Sequence, residues 1–301
     1  MSEHLAEPDT VIWVDLCAPT AEHIIQVGDE LGLHALAVED AIESHQRPKM
    51  DRYSDHAFLS MYAVTISDSG RTLRLSEVDA FVTPSALVTI RRDPTFDIQH
   101  VVARWDASPD LAKYGVGFLL HGLLDVVVDG HFEAVQDLDD EVEHLEDVLF
   151  EETSNTGIQR QVFALRKNLV SLRRVVTPMR EVVNSLLRRD VAVVTDPMRP
   201  YYEDVYDHVL RATEWTESLR DLVTTILETN LTIQGNRLNV ITKQVTSWAA
   251  IIAVPTAITG FYGQNVPYPG FAHMSGFVWS CALIVVLSSI LYVTFKRREW
   301  L

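Results

Sequence analysis

The chain of 301 residues is acidic, with 42 Asp and Glu against 25 Lys and Arg and a formal net charge of −17. That balance argues against nucleic-acid binding, which requires a basic surface. The two cysteines, Cys17 and Cys281, lie far apart in the chain, so the sequence predicts neither a disulfide framework nor a cysteine-based zinc site.

Residues 1–110 are predicted to form a cytoplasmic α/β domain. An amphipathic helix is expected over residues 20–31, with Thr20 as its N-cap. Short runs rich in β-branched and aromatic residues predict strands on both sides of this helix. These strands are expected at residues 11–15, 57–66, 76–82 and 86–91.

Residues 111–240 are predicted to be a cytoplasmic helical region. Twelve carboxylates lie between Asp125 and Glu152, and this acidic helix is interpreted either as a solvated face or as a diffuse attractor of cations. The following helix, over residues 158–189, is basic and is expected to pack antiparallel against it. A third helix begins near Tyr201 and meets no proline before Pro255. Its length, roughly 80–90 Å, is typical of a stalk that continues into a membrane.

Residues 241–301 are predicted to form a transmembrane hairpin with a basic cytoplasmic tail. Residues 245–262 are 18 residues without a charge and residues 276–295 are 20, close to the roughly 20 residues needed to cross a hydrocarbon core. A buried pair of core helices is the alternative interpretation. Arg and Lys flank the two spans but are absent from the loop between them. The positive-inside rule therefore predicts cytoplasmic N- and C-termini, and the chain begins without a secretory signal pattern.

One face of the long helix carries small and neutral polar side chains, and we call this face the polar row. Several polar residues in line favour a water-containing path, whereas Ala249 and Ala253 also suit close contact between helices. Two helices cannot enclose a pore, so the path is expected to lie between subunits of a homo-oligomer. The polar row comprises Glu228, Leu231, Gly235, Asn239, Thr242, Thr246, Ala249, Ala253 and Thr256.

Neutral oxygen atoms suit the transport of Mg²⁺. This ion gives up its hydration shell reluctantly, and amide and hydroxyl oxygens accept hydrogen bonds from its water molecules without removing them. Carboxylates inside a pore would hold the ion too tightly for release.

The C-terminal motif resembles the CorA family of magnesium and divalent-cation transporters. Residues 259–265 (Thr-Gly-Phe-Tyr-Gly-Gln-Asn) form a Gly-Gln-Asn variant of the family's Gly-Met-Asn signature, and a second span follows that ends in a basic cluster. Upstream segments resemble the family in the same order: 45–49 (His-Gln-Arg-Pro-Lys), 165–169, 178–182 and 202–208. The resemblance implies a homopentamer with an α+β cytoplasmic funnel domain of α/β layers, a long stalk helix and two C-terminal transmembrane helices.

The resemblance also implies roles for individual residues. Gly263 and Asn265 would form the outer selectivity filter, with Thr256 and Asn239 as polar pore positions further in. Gln264, between the two filter residues, would either point an amide at the ion path or only pack. Thr242 and Thr246 are further pore candidates from their place in the polar row. Glu228 would lie near the cytosolic end of the pore. Asp40 and Asp204 would hold a regulatory Mg²⁺ between neighbouring subunits, so that loss of Mg²⁺ favours opening; ordinary surface acids are the alternative.

The sequence departs from the family pattern at three places. Gln264 stands where the family has Met, and the outer loop lacks the acidic residue commonly found after the motif. Thr242 and Ala253 occupy positions where relatives carry bulky Met side chains. These differences are expected to affect ion selectivity and gating more than the fold.

The resemblance predicts a multi-pass channel of the plasma (inner) membrane for Mg²⁺, with Co²⁺ and Ni²⁺ as further ions, gated by cytosolic Mg²⁺. A zinc transporter of the ZntB type is one alternative, and His273 is the histidine placed to meet an incoming Zn²⁺. A non-conducting, membrane-anchored metal sensor is the other. The sequence has no Gly-rich phosphate loop and no nucleophile signature, so it does not predict an enzyme.

Overall fold

The computed structural model describes residues 10–44, 46–67, 72–150, 157–188 and 193–301. His45 of the family-like segment, Glu151 and Glu152 of the acidic stretch and Arg189 of the basic helix lie outside these residues. The chain divides into two compact units, Met1–Leu227 and Glu228–Leu301. The finer division at residues 110 and 240 stays a prediction.

The first unit contains a five-stranded mixed sheet in the order β1-β5-β4-β3-β2. β1 pairs in parallel with β5, and the remaining neighbours are antiparallel. The predicted strands are all present, while β2 was not predicted because its sequence, Lys-Met-Asp-Arg, lacks the apolar pattern of a strand. The strands are β1 (Ile12–Cys17), β2 (Lys49–Arg52), β3 (Ala57–Ile66), β4 (Leu73–Val82) and β5 (Ala86–Arg91).

Seven α-helices and a short 3₁₀ helix (Pro109–Tyr114) occur in the described part of the chain. The Thr20 hydroxyl accepts a hydrogen bond from the His23 amide at 3.4 Å, as expected for an N-cap. Gly32 ends the helix that Thr20 begins, with a φ of 67°, a conformation that glycine adopts without steric cost. The helices are α1 (Ala21–Leu31), α2 (Ala35–Ile42), α3 (Gln99–Asp106), α4 (Val116–Phe150), α5 (Ile158–Leu187), α6 (Arg199–Tyr262) and α7 (Met274–Arg297).

The core of the first unit lies on both faces of the sheet. Successive residues of a strand point to opposite faces, so Phe58 and Leu59 enter different layers. Phe58 packs with Phe81 and with residues of α1 and α2, such as Ile24. Leu59 packs with apolar side chains of α4 and α5, including Leu123. The result is a three-layer α/β/α arrangement, as the alternating strands predict.

The second unit consists of the C-terminal part of α6, a connecting loop and α7. Both helices are long and apolar enough to cross a membrane, and only 6% of the most apolar 18-residue window of each is buried. Core helices of a soluble protein are mostly buried, so the alternative of a buried helix pair is not supported. Pro255 lies inside α6 without ending it.

Candidate functional site

The polar row on α6 is exposed along its whole length in the single chain. At about 100° per residue, its members lie roughly on the opposite side of the helix from Ser247, Val254 and Ile258. Ser247 is fully buried and the other two are half-buried. Within residues 247–258 the chain thus covers one side of α6 and leaves the polar row on the other, whereas residues 235–246 are exposed on every side.

Two threonine hydroxyls of the polar row donate their protons to the helix backbone. Thr242 Oγ1 donates to the Leu238 carbonyl oxygen at 2.8 Å, and Thr256 Oγ1 donates to that of Ile252 at 3.0 Å. A hydroxyl whose proton is used in this way presents acceptor lone pairs to its surroundings. Those acceptors match the hydrogens of water molecules bound to a cation.

The remaining polar members of the row contribute different groups. Asn239 and Thr246 are exposed and, within the described residues, their side chains form no hydrogen bond. Glu228 is exposed and is the only charged member of the polar row; its backbone carbonyl accepts a hydrogen bond from Thr232 Oγ1 at 2.9 Å. The row therefore combines one carboxylate at one end with neutral oxygens towards Thr256.

The Gly-Gln-Asn segment, Gly263 to Asn265, immediately follows the last residue of α6. The Gly263 amide donates to the Thr259 carbonyl oxygen at 2.8 Å, and a Cβ atom at Gly263 would lie only 2.9 Å from that oxygen. Glycine therefore allows the helix to end with this close approach. Gln264 and Asn265 are exposed. Their side-chain amides form no hydrogen bond with any described residue and are available to an ion's water shell.

The loop after this segment is anchored by contacts that the sequence interpretation missed. The Tyr268 hydroxyl donates to the Tyr262 carbonyl oxygen at 2.9 Å, and the two rings pack edge to face with centroids 5.0 Å apart. Gly270 has a φ of 90°, and a Cβ at Gly276 would lie 2.4 Å from the Gly270 oxygen. The aromatic residues and glycines between residues 261 and 276 were the sequence signal from which this anchored loop could have been predicted.

In the first unit, Asp40 already has a cationic partner within its own chain. Lys49 Nζ lies 2.7 Å from Asp40 Oδ2 and 3.0 Å from Asp51 Oδ2. Burial opposes the charge of Lys49, but the hydrogen bonds to Asp40 and Asp51 outweigh it and raise the pKa of the ammonium group. Gln46 Nε2 also donates to Asp40 Oδ1 at 3.3 Å. A metal ion at Asp40 would compete with these donors.

Asp204 lies elsewhere in the first unit, in an open cavity of about 370 Å³ whose lining does not include Asp40. Arg104 bridges two carboxylates in this cavity, those of Asp125 (2.9 Å) and Asp129. Burial raises the pKa of Asp125, and burial lowers the pKa of His121, which lines the same cavity. The sequence interpretation missed this cluster because its members come from three separate helices.

Within the described residues, no group of three or more His, Cys, Asp or Glu is arranged to hold a metal ion. The candidate ion-handling residues of one chain are therefore the exposed neutral oxygens of the polar row and the Gly-Gln-Asn segment, together with isolated carboxylates such as Asp40 and Asp204.

An α/β unit combined with two helices long and apolar enough to cross a membrane, one of which bears a polar row, is typical of membrane proteins of the ion-transport class. A family model described as "CorA-like Mg2+ transporter protein" matches residues 8–297. The chain belongs to this family, and the resemblance predicted from its C-terminal motif is confirmed.

Curated relatives and solved structures extend over nearly the whole chain. The chain is 29% identical over 299 residues to the cobalt/magnesium transport protein CorA of Thermotoga maritima, covering 98% of this chain and 85% of that protein. The solved structure of the CorA magnesium transporter from Methanocaldococcus jannaschii matches with a TM-score of 0.81 and 25% identity, covering 98% of this chain and 93% of that one. The predicted α+β fold with a long stalk helix and two C-terminal apolar helices is thereby confirmed, while the homopentamer stays a prediction.

Zinc transporters are similar over a shorter part of the chain. The zinc transport protein ZntB of Yersinia pseudotuberculosis is 25% identical over 256 residues, which cover 85% of this chain and 77% of that protein. The wider coverage by magnesium transporters favours the magnesium interpretation over the zinc alternative.

Proposed function

We propose that the protein is a channel for divalent cations, with Mg²⁺ as its main substrate and Co²⁺ and Ni²⁺ as further substrates. The observation that carries the proposal is the exposed polar row, which leads to the Gly-Gln-Asn segment at the end of α6. The names of the similar transporters from Thermotoga maritima and Methanocaldococcus jannaschii support the choice of ion.

The proposed pathway requires several copies of the chain. Polar side chains facing lipid are costly, and in membrane helices they face a protein interior or a water-filled cavity. The polar row is exposed in one chain, so its natural environment is a shared axis lined by the same row from each subunit. The family resemblance suggests five subunits in the plasma membrane, with both termini in the cytoplasm.

The ion is proposed to move with most of its water shell. Mg²⁺ usually keeps several of its water molecules when it binds a protein. At the pore mouth, the amide oxygens of Gln264 and Asn265 would accept hydrogen bonds from those waters. Further in, the acceptor lone pairs of Thr256 and Thr242 would replace them in turn. Because these groups are neutral, none would hold the ion strongly, which suits rapid release.

The filter assignment can be tested with Asn265→Ala in liposomes, measuring Mg²⁺ uptake down its gradient with a fluorescent indicator. We expect loss of most uptake because each subunit loses one acceptor at the mouth. Ser289→Ala, an exposed polar position on α7, is the matched control and should retain uptake. Size-exclusion chromatography checks that both variants assemble like the parent. Unchanged uptake by Asn265→Ala would contradict the assignment.

The same liposomes separate the alternative functions. Uptake of Mg²⁺, Co²⁺ and Ni²⁺ without a proton gradient supports the proposal, whereas Zn²⁺ uptake that requires a proton gradient would indicate a ZntB-type transporter. No uptake of any of these ions by a correctly assembled protein would favour the non-conducting sensor.

We further propose that Mg²⁺ binds between Asp40 of one subunit and Asp204 of another and thereby stabilises the closed channel. The ion would remove the repulsion between the two carboxylates, but it must share Asp40 with Lys49 or displace it. Asp40→Ala combined with Asp204→Ala should reduce the protection that Mg²⁺ gives the first unit against protease. Asp29→Ala with Asp207→Ala, two exposed acids, should not. Full protection of the first pair would rule out this site.

A further inference from the structure

A second open cavity of about 370 Å³ in the first unit is lined by four arginines. They come from three distant segments of the chain: one precedes β2, two lie on α5 and one lies on α6. No Asp or Glu is among the described residues that line it. We call this cavity the arginine pocket; its polar lining consists of Arg47, Arg173, Arg174, Arg220 and Thr177.

The positive charge of the arginine pocket is incompletely neutralised. Arg173 pairs with Glu217 at 3.4 Å across the surface, and Arg220 pairs with its chain neighbour Asp221 at 2.9 Å. Both pairs are well exposed, and exposed pairs of this kind are weak. Arg47 and Arg174 form no ion pair or hydrogen bond with any described residue. The cavity therefore holds at least two guanidinium groups for which the described part of the chain supplies no anionic partner.

This concentration of arginine runs against the composition of the chain. The protein has 42 acidic and only 25 basic residues, yet four arginines line one cavity without an acidic residue among them. Like charges in one place repel each other unless an anion is bound between them. Glu217 and Asp221 each pair with one of these arginines but do not line the cavity, so two arginine charges remain to attract an anion.

Neighbouring packing holds the backbone of the pocket in place. Leu172 and Val175, which flank the two arginines of α5, are buried in the core, and so is Leu219 beside Arg220. Pro178, which also lines the cavity, lacks an amide hydrogen and so leaves the Arg174 carbonyl oxygen without its helical donor. The backbones of the three helical arginines are thus held by the core, while the four arginine side chains lie at the surface, where they can reorient around a ligand.

We propose that the arginine pocket binds an anion with two or three linked phosphate groups, either inorganic or part of a nucleotide. A guanidinium group donates two parallel hydrogen bonds to one phosphate, and a short polyphosphate is long enough to contact several of the four groups. The volume lies within the range of small-molecule sites, about 300–1,000 Å³. Thr177 adds a hydroxyl donor, and Val170 with Pro178 forms an apolar wall for the organic part of a nucleotide. This site is independent of the proposed channel function.

Binding can be measured by isothermal titration calorimetry on the full-length protein in detergent. Inorganic triphosphate and ATP are the probes, at constant free Mg²⁺ because both chelate the ion. We expect both to bind at least about tenfold more tightly than orthophosphate, since several guanidiniums act together, and each tenfold equals about 1.4 kcal/mol. ATP binding with no triphosphate binding would identify nucleotides as the ligand class, and comparable binding would identify the polyphosphate alone.

Paired variants test whether the arginine pocket is the site. Arg47→Gln with Arg174→Gln should weaken triphosphate binding about tenfold or more, because each arginine supplies a bidentate contact. Arg160→Gln with Arg211→Gln removes the same charge from exposed positions that do not line the cavity and should bind like the parent. Arg174→Lys keeps the positive charge but cannot donate two parallel hydrogen bonds to one phosphate. Weaker binding by this variant therefore separates phosphate recognition from a general charge effect.

Three results would overturn the proposal. One is the absence of binding by both triphosphate and ATP, and another is equal weakening by the two double variants, which would show attraction by charge alone. The third is dissociation of the oligomer by Arg47→Gln with Arg174→Gln, without a matching loss of binding. That result would assign the pocket to the acidic segment of a second copy, residues 137–147.

Discussion

The two units of the chain satisfy their side chains in different ways. In the first unit, apolar residues such as Phe58 and Phe81 are fully buried, and a buried charged group such as Arg91 is paired, in this case with Asp15. In the second unit, large apolar residues such as Ile252 and Val285 are more than 60% exposed. The first unit thus completes its own core, whereas the apolar side chains of the second stay uncovered in the single chain, as expected if lipid and other copies of the chain cover them. Stability measurements on the first unit therefore report on the packing of its own core, whereas transport measurements report on the exposed helices of the second unit.

The largest expected difference between the two units should appear when one apolar side chain is removed from each. Phe81→Ala should lower the free energy of unfolding of the first unit by about 4 kcal/mol, because it leaves a cavity beside Phe58. Ile252→Ala, at a position 63% exposed in the chain, should leave that unfolding transition unchanged. Thermal unfolding of the full-length protein, followed by tryptophan fluorescence, measures both. Equal losses in the two variants would show that the units do not complete their cores separately.

The stability of the first unit should also depend on pH, because this unit buries a titratable carboxyl group. Asp79 is fully buried, and its burial raises the pKa of the carboxyl group to about 7, with Arg92 lying 3.0 Å away. The folded protein therefore keeps a proton that the unfolded chain loses near its ordinary pKa. The contribution of Asp79 to the free energy of unfolding should fall as the pH rises from about 4 to about 7, by an amount on the order of 4 kcal/mol, and should level off above pH 7.

Asp79→Asn cannot ionise, so it should remove this fall and be more stable than the parent at pH 8. His131 has the opposite effect on stability, because burial lowers its pKa to about 4 and the folded protein becomes more stable as the pH rises through that region. His131 is present in both parent and variant, so its effect is common to the two pH profiles. Unfolding temperatures between pH 5.5 and 8 measure the difference. Parallel pH profiles for parent and variant would show that Asp79 is ionised in the folded protein.

The sequence predicted most of the fold because periodicity and charge are local signals. The strands of the sheet, the Thr20 N-cap and the two apolar helices followed from such signals, and the family motif extended them to the whole architecture. Strand β2 could not be predicted from its own residues because a neighbour, β3, supplies the pairing. The Lys49–Asp40 pair, the cluster around Asp125 and the arginine pocket depend on contacts between distant segments. Only the part of the candidate site that lies along α6 and directly after it, the polar row and the Gly-Gln-Asn segment, could be predicted from the sequence.

The smallest expected effect concerns the loop beside the Gly-Gln-Asn segment. Tyr268→Phe removes a hydroxyl that donates to the Tyr262 carbonyl oxygen, and one such hydrogen bond contributes about 1 kcal/mol. The ring stays packed, so the oligomer should be unaffected. Looser placement of Asn265 should reduce Mg²⁺ uptake about twofold to fivefold, which is the equivalent of roughly 1 kcal/mol or less.

Tyr292→Phe is the matched control, since this exposed hydroxyl on α7 has no hydrogen-bond partner among the described residues. Its uptake should equal that of the parent. If both variants transport Mg²⁺ at the parental rate, the loop anchor is structural and the pore mouth is held by contacts between subunits. A loss confined to Tyr268→Phe would instead mean that the second unit, despite its exposed helices, organises its own pore mouth within one chain.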